Sequence, residues 1–307
     1  MTPDEYTNQE FFLDVGGGHR IYVHDWGKKT AKTAILYLHG GPGNGCDGRD
    51  KAKFNPGTQR VIFHDQRGAG KSTPGGSLEN NTAQDLVEDI EKIAKHLKLD
   101  TFVLAGGSWG STLALVYGIA YPKRVVGMVI DGVFTATRED ADWFEKGGWR
   151  EFFPDAWEQY QNAVPEDHRG NPSAYHYQQA LGDDPAAVKK SSYAYTSMEL
   201  AILKLDDRYQ PKPYDEFEPG GGLIEMHYLA NGCFLKEDYI FNNASKLTMP
   251  VYLVQGRYDM VCRPKTAYEL HKALPNSKLI WTINGHLKQH EAKTVLDLLL
   301  DQLTGAK

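Results

Sequence analysis

Cysteine is scarce in this sequence: three among 307 residues, at Cys46, Cys233 and Cys262. An odd, scattered trio without a C-x-x-C pair or clustered Cys/His spacing excludes a disulfide framework and supplies no metal-ligand motif. Long apolar runs are missing as well, and none approaches the roughly 18 residues a membrane span needs. The opening Met1-Thr2-Pro3-Asp4-Glu5-Tyr6 holds neither a basic nor an apolar stretch, so no secretory signal is expected. Basic residues are in deficit. The 34 lysines and arginines face 40 aspartates and glutamates, a formal charge of −6, and no polybasic stripe offers itself to nucleic acid. Internal repeats and low-complexity tracts are also lacking. What remains is the expectation of a soluble, cytoplasmic globular protein with no membrane or nucleic-acid partner. At 41% hydrophobic residues, it is long enough to bury about three quarters of its extended-chain surface.

What is present is strand–helix alternation. Ile21-Tyr22-Val23-His24-Asp25-Trp26 alternates like a half-buried strand, whereas Ala34–Leu38 and Val61–His64 are continuous apolar runs, as buried parallel strands should be. From Thr82 the period becomes helical. Leu86, Val87, Ile90, Ile93, Ala94 and Leu97 share one face behind a Thr82–Asp85 capping box. A strand over 101–105, a helix over 109–120 and a strand over 125–130 follow, implying right-handed crossovers and a mostly parallel sheet. Residues 135–245 change character: Trp, Tyr, Glu, Gln and Asp abound, buried strands are absent and helical fragments fit better. The α/β pattern resumes at 250–254, with a helix opening at Pro264, a strand over 278–283 and a terminal helix. The expected organisation is an α/β core in two pieces, 1–134 and 246–307, with a helical cap over 135–245 between them.

The sharpest local signal is Gly106-Gly107-Ser108-Trp109-Gly110, a G-x-S-x-G placed between a strand and a helix. There a serine on a strained turn projects its hydroxyl above the sheet, and the helix start presents free N–H groups to a developing oxyanion. Directly after the strand ending at Leu38 runs His39-Gly40-Gly41-Pro42-Gly43, a glycine-rich loop able to turn its amides toward that serine. The expected oxyanion hole is the backbone N–H of Gly41 with that of Trp109, His39 being a structural residue of the loop. With such an elbow, the acid and then the base follow the nucleophile along the chain. Asp259, in Gln255-Gly256-Arg257-Tyr258-Asp259, and His286, in Asn284-Gly285-His286, each fall just past the C-terminal end of a strand. Both therefore belong to the sheet edge where Ser108 emerges. Asp131 competes as the acid; His271 and His290, inside expected helices, compete as the base.

With these residues in place, the chain resembles the proline iminopeptidases, serine peptidases of the α/β-hydrolase fold. The resemblance rests on the His39–Gly43 loop, on Asp65-Gln66-Arg67-Gly68-Ala69-Gly70-Lys71-Ser72 and on the elbow extended through Ser111-Thr112-Leu113-Ala114-Leu115. It also rests on Glu225-Met226-His227-Tyr228 with Asn231-Gly232, and on Gly256–Cys262. It implies an enzyme that removes an N-terminal proline from small peptides, with cap carboxylates holding the substrate's free amino group. The matching positions are Glu225 and, in Tyr195-Thr196-Ser197-Met198-Glu199-Leu200, Glu199. Charge-assisted hydrogen bonds from a cationic amine to two glutamates would reject a blocked N-terminus and enforce one-residue removal. Three departures bear on proline preference: Asn44 where glycine is usual, Met198 where tryptophan is common, and Leu287-Lys288 after the histidine where a small serine is usual. Trp143, Phe144, Trp149, Phe152, Phe153 and Trp157 are able either to wall a proline-sized pocket or simply to pack the cap. Asp65 and Arg67 are expected in a supporting network. No cofactor or metal is implied, and oligomeric state is not legible. The rival reading is a carboxylesterase or other small-acyl hydrolase using the same three residues. An epoxide hydrolase or dehalogenase would need a carboxylate at position 108, and a binding protein on the same scaffold would not need the triad.

Overall fold

A computed structural model describes residues 5–204, 212–217, 221–287 and 290–306, except the side chains of 221 and 290–292. Eight strands, β1 (Thr7–Gly16), β2 (His19–Gly27), β3 (Ala34–Leu38), β4 (Arg60–His64), β5 (Phe102–Ser108), β6 (Val125–Val133), β7 (Val251–Gly256) and β8 (Ser277–Thr282), form one sheet. Its order is β1-β2-β4-β3-β5-β6-β7-β8. Pairing is antiparallel for β1–β2 and β2–β4 and parallel from β4 onward. The mostly parallel sheet expected from strand–helix alternation is thus present.

The helices are α1 (Gly48–Lys51), α2 (Ala83–His96), α3 (Trp109–Ala120), α4 (Arg138–Glu145), α5 (Pro154–Asn162), α6 (Pro172–Ala180), α7 (Pro185–Ile202), α8 (Gly221–Ala230), α9 (Tyr239–Asn243), α10 (Pro264–Ala273) and α11 (His290–Thr304). Helix α2 opens on the Thr82–Asp85 capping box, and its expected apolar face is buried except for the half-buried Leu97. Helix α3 buries nearly every residue, because it lies between the sheet, α2 and the helices of the insertion. The opposite face of the sheet packs Ile35, Val103 and Val129 against Leu296 and Leu300 of α11. Between β6 and β7 the described residues form helices only. No described helix is long and apolar enough to cross a membrane.

Two local expectations needed revision. The strand at 21–26 is not half-buried; within β2 only Arg20 is exposed, since β1 and β4 flank it and both of its faces are covered. That flanking strand, β1, escaped the sequence reading. Its signals were a half-polar alternation and the triplet Gly16-Gly17-Gly18, whose φ values of 75°, 63° and 83° make the β1–β2 turn.

Candidate active site

The nucleophile elbow is built by close backbone packing. A Cβ on Gly106 would lie 2.7 Å from the Gly110 carbonyl oxygen, and one on Gly110 would lie 2.1 Å from the Leu38 carbonyl oxygen. Only glycine lets β3, β5 and the start of α3 approach this closely. Ser108 itself holds φ 57° and ψ −127°, a left-handed conformation that costs an L-residue roughly 1–3 kcal/mol and recurs at functional turns. Its side chain makes no capping bond to α3, so the hydroxyl is left for other work.

The loop after β3 comes against this serine: a Cβ on Gly40 would be 3.4 Å from Ser108 Cβ. His39, 1% exposed, commits its ring to holding the loop. Nδ1 donates to the Gly40 carbonyl at 2.9 Å, and Nε2 accepts from the Gln66 amide at 2.9 Å. Gln66 in turn donates to the His39 carbonyl and accepts from Trp109 Nε1 at 2.9 Å. The residues of the two expected oxyanion donors, Gly41 and Trp109, are thereby tied to one frame. Burial holds the His39 imidazole neutral by lowering its pKa, which suits a structural role. Asp65 accepts the amides of Cys46 and Lys71, and Arg67 pairs with Asp89 of α2 at 2.6 Å.

Asp259 and His286 meet, although 27 residues separate them. His286 Nδ1 lies 2.9 Å and 3.1 Å from the two Asp259 oxygens. The carboxylate is further held by the amides of Val261 and Cys262 at 3.0 and 2.8 Å and by Gln255 Nε2 at 3.2 Å. The end of β6 abuts the pair: a Cβ on Gly132 would be 3.0 Å from His286 Cε1. Asp131, the rival acid, packs against the backbone of the elbow, its Oδ1 at 2.1 Å from where a Gly107 Cβ would stand, and its charge acts on Cys262. His271 bonds Ser277 at the far end of α10. Lys288 and the side chain of His290 lie outside the described residues. Sequence reasoning missed Cys262. Its buried thiol lies within 4.8 Å of the side-chain polar atoms of Asp259 and His286, and the Ser108 side chain acts on it as a hydrogen-bonding neighbour. Desolvation raises the thiol pKa well above its ordinary value, so it stays protonated.

Above this edge sit the glutamates. Glu225 on α8 is 7% exposed and accepts from the Tyr195 hydroxyl of α7 at 3.4 Å. Glu199, half-buried one turn further along α7, is close enough for its charge to act on both Glu225 and His286. Burial, and then the charge of Glu199, push the Glu225 carboxyl well above the usual carboxylate range; burial also raises Glu199, against the opposing pull of His286. A third carboxylate, Glu145 at the end of α4, was missed by the sequence reading and acts electrostatically on Glu225, Tyr195, Tyr160 and Cys233. Among the described residues, the positive charges that act on these three acids come from His286 and the surface residue Lys146.

The expected aromatic cluster divides. Trp149 and Trp157 pack edge-to-face at 5.6 Å inside the insertion, and Phe152 is 63% exposed, so none of these three walls the site. Phe144 stacks edge-on to Tyr195, and Trp143 reaches Met260 of the acid loop. Of the departures from the family pattern, Asn44 packs against Gly41, Met198 is buried beside Glu199, and the Leu287 amide bonds the Leu203 carbonyl at 3.0 Å.

A titration consequence follows for Glu145, which burial pushes up to about 7 from its ordinary 4.5. A carboxyl raised on folding favours the folded state at low pH and withdraws that contribution as pH climbs through the folded value. Such a rise corresponds to roughly 3 kcal/mol. Glu145→Gln should therefore match wild type in urea unfolding at about pH 4, below the unfolded value, and exceed it by about 2–3 kcal/mol at about pH 8. Equal stability of the two proteins at pH 8 would show that Glu145 is not held in a desolvated enclosure.

Comparison with known proteins bears on the fold and the family. The profile of the alpha/beta hydrolase fold matches residues 33–291. A proline iminopeptidase from Arabidopsis thaliana is 38% identical over 87% of this chain and 72% of its own length. A probable proline iminopeptidase from Leptolyngbya boryana is 38% identical over 95% and 92%, and a proline iminopeptidase from Xanthomonas citri 36% identical over 93% of both. Among solved structures, an esterase from Exiguobacterium antarcticum superposes with a TM-score of 0.61 at 18% identity, covering 96% of this chain and 99% of the esterase. An α/β hydrolase from a Medee basin deep-sea metagenome library gives 0.63 at 17% identity, covering 97% and 98%. At such identities the structures speak for the fold alone; the sequence relatives, alike over nearly the whole chain, carry the assignment further, and this chain belongs to the proline iminopeptidase family of α/β hydrolases.

Proposed function

We propose that this chain is a serine aminopeptidase that releases one N-terminal residue, proline above others, from small peptides with a free amino end. The observation that carries this reading is the pair of glutamates on the insertion: Glu225, buried on α8, and the half-buried Glu199 on α7, whose charge acts on both Glu225 and His286. Carboxylates raised by desolvation gain most when a cation arrives, and the α-amine of a peptide is that cation.

Ser108 attacks the carbonyl of the first residue while His286 accepts its proton. Asp259, bonded to Nδ1, fixes the tautomer that leaves Nε2 as the base and stabilises the imidazolium. The amides of Gly41 and Trp109 hold the tetrahedral oxyanion, where single donors contribute roughly 3–4 kcal/mol in related chemistry. His286 then protonates the departing amine, and a water activated by the same imidazole releases the acyl group. Residues 135–245 serve as the cap, closing the amine end so that only one residue fits beyond Ser108.

The carboxylesterase reading uses the same three residues but leaves the glutamates unexplained, since a neutral ester gains nothing from them. Free prolyl-, free alanyl- and N-acetyl-prolyl-arylamides, assayed beside a short-chain p-nitrophenyl ester, separate the two. Turnover is expected for the free prolyl compound, with loss of at least about 100-fold on acetylation, the scale of a buried charge left unpaired. Ester cleavage without arylamide cleavage would discard the peptidase reading.

A further inference from the structure

The acid loop, residues 257–263, is fastened on its outer side by α4, the first helix of the insertion. Asp140, in the first turn of α4 and 4% exposed, places one oxygen 2.5 Å from Thr266 Oγ1 and 2.8 and 3.2 Å from Arg263 Nη2 and Nε. Its other oxygen accepts from the Thr135 hydroxyl at 2.6 Å and the Thr135 amide at 3.2 Å. Arg263 also reaches Glu139 at 2.6 Å. One turn on, Trp143 Nε1 donates to the Met260 carbonyl at 2.8 Å. Arg263 and Met260 bracket the two amides, Val261 and Cys262, that hold Asp259 Oδ1. None of these α4 groups touches the reacting atoms.

We infer that Asp140 and Trp143 are positioning residues for the hydrolytic reaction: they fix the loop that carries Asp259, and through it the imidazole of His286. The physical reason is the number of bonds converging on one short segment. A carboxylate with every lone pair engaged and no solvent to replace a lost partner cannot shift without leaving buried donors unpaired. The loop's own contacts, Arg257 N to the Thr282 carbonyl and Tyr258 N to the Asn284 carbonyl, fasten only its first half. The second half, where the Asp259-holding amides lie, depends on Gln255 from within and on α4 from outside. The last turn of the same helix carries Phe144, which packs on Tyr195, the hydroxyl donor to Glu225. One rigid rod about 12 Å long thus joins the amine enclosure to the acid loop.

This inference rests on the assignment of Asp259 and His286 to catalysis, and the experiment keeps the two apart. Asp140→Asn, Trp143→Phe and Asp259→Asn are compared with wild type by steady-state cleavage of a free prolyl-arylamide, by the rate of Ser108 labelling with a small fluorophosphonate, and by thermal unfolding. The fluorophosphonate carries no amine, so its rate reads the nucleophile and not the glutamates. Expected for Asp140→Asn is a kcat lower by about 10- to 100-fold, the scale of an ångström-level misplacement, with KM unchanged and labelling slowed to the same degree. Trp143→Phe, which removes one bond and little volume, should show the same pattern at about 3- to 10-fold; it decides the matter if Asp140→Asn does not fold. A rise in KM with unchanged labelling would mean that α4 merely shapes the insertion, and unchanged kcat in both variants would likewise overturn the inference. If Asp259→Asn itself keeps full activity, the triad reading fails and the positioning role falls with it.

Discussion

Ser108→Ala should abolish arylamide turnover, by roughly five to six orders of magnitude in kcat, while leaving the melting temperature within a degree or two of wild type. The size follows from the chemistry: without the hydroxyl there is no acyl-enzyme, and only oxyanion stabilisation and binding remain. The unchanged stability follows from the structure. The hydroxyl caps no helix, and alanine meets the same strain at φ 57° that serine already bears. Residual turnover within about tenfold of wild type would move the nucleophile elsewhere. A retained rate with Cys262→Ser inactive, for instance, would point to the thiol that lies beside Ser108.

Glu225→Gln should weaken kcat/KM for free-amine substrates by about 100-fold, with most of the change in KM, and leave fluorophosphonate labelling of Ser108 intact. Removing one carboxylate from a buried cation site costs about 3 kcal/mol, at the lower end of the range for breaking a buried charge pair. Glu199→Gln should have a smaller effect on KM and a measurable one on kcat, because its charge also acts on His286. Both losses should vanish for a neutral ester. If Glu225→Gln cleaves the prolyl-arylamide with unchanged KM, the amine-binding assignment fails while the nucleophile assignment stands.

The elbow was legible because its information is local. Strand, turn and helix are consecutive, and the glycines at 106 and 110 are required by atoms of β3 and α3 that any such elbow brings together. Asp259 and His286 were legible for a topological reason: parallel strands end on one edge, so residues just past β7 and β8 must come near a residue just past β5. Glu225 and Glu199 were reached only through family resemblance, since a glutamate on a helix carries no local sign of whether it faces solvent or a closed pocket.

Other features depend on which helix lands where. The Asp140–Arg263 contact spans 123 residues and joins two charged side chains whose sequence neighbours suggest ordinary surface positions. Glu145 sits at the end of an amphipathic helix, a place where solvated carboxylates are common; only the packing of α4 beside Tyr195 encloses it. Phe152 and Trp149 are indistinguishable as sequence, yet one is exposed and the other fully buried. By itself, then, the chain's order of strands, turns and glycines determined the fold, the elbow that carries Ser108 and the edge of the sheet past which Asp259 and His286 lie, because backbone sterics and strand direction act over short stretches. Tertiary structure alone decided which acids lose their water and which cap residues grip the acid loop, because desolvation and convergent hydrogen bonding arise only when distant segments exclude solvent together.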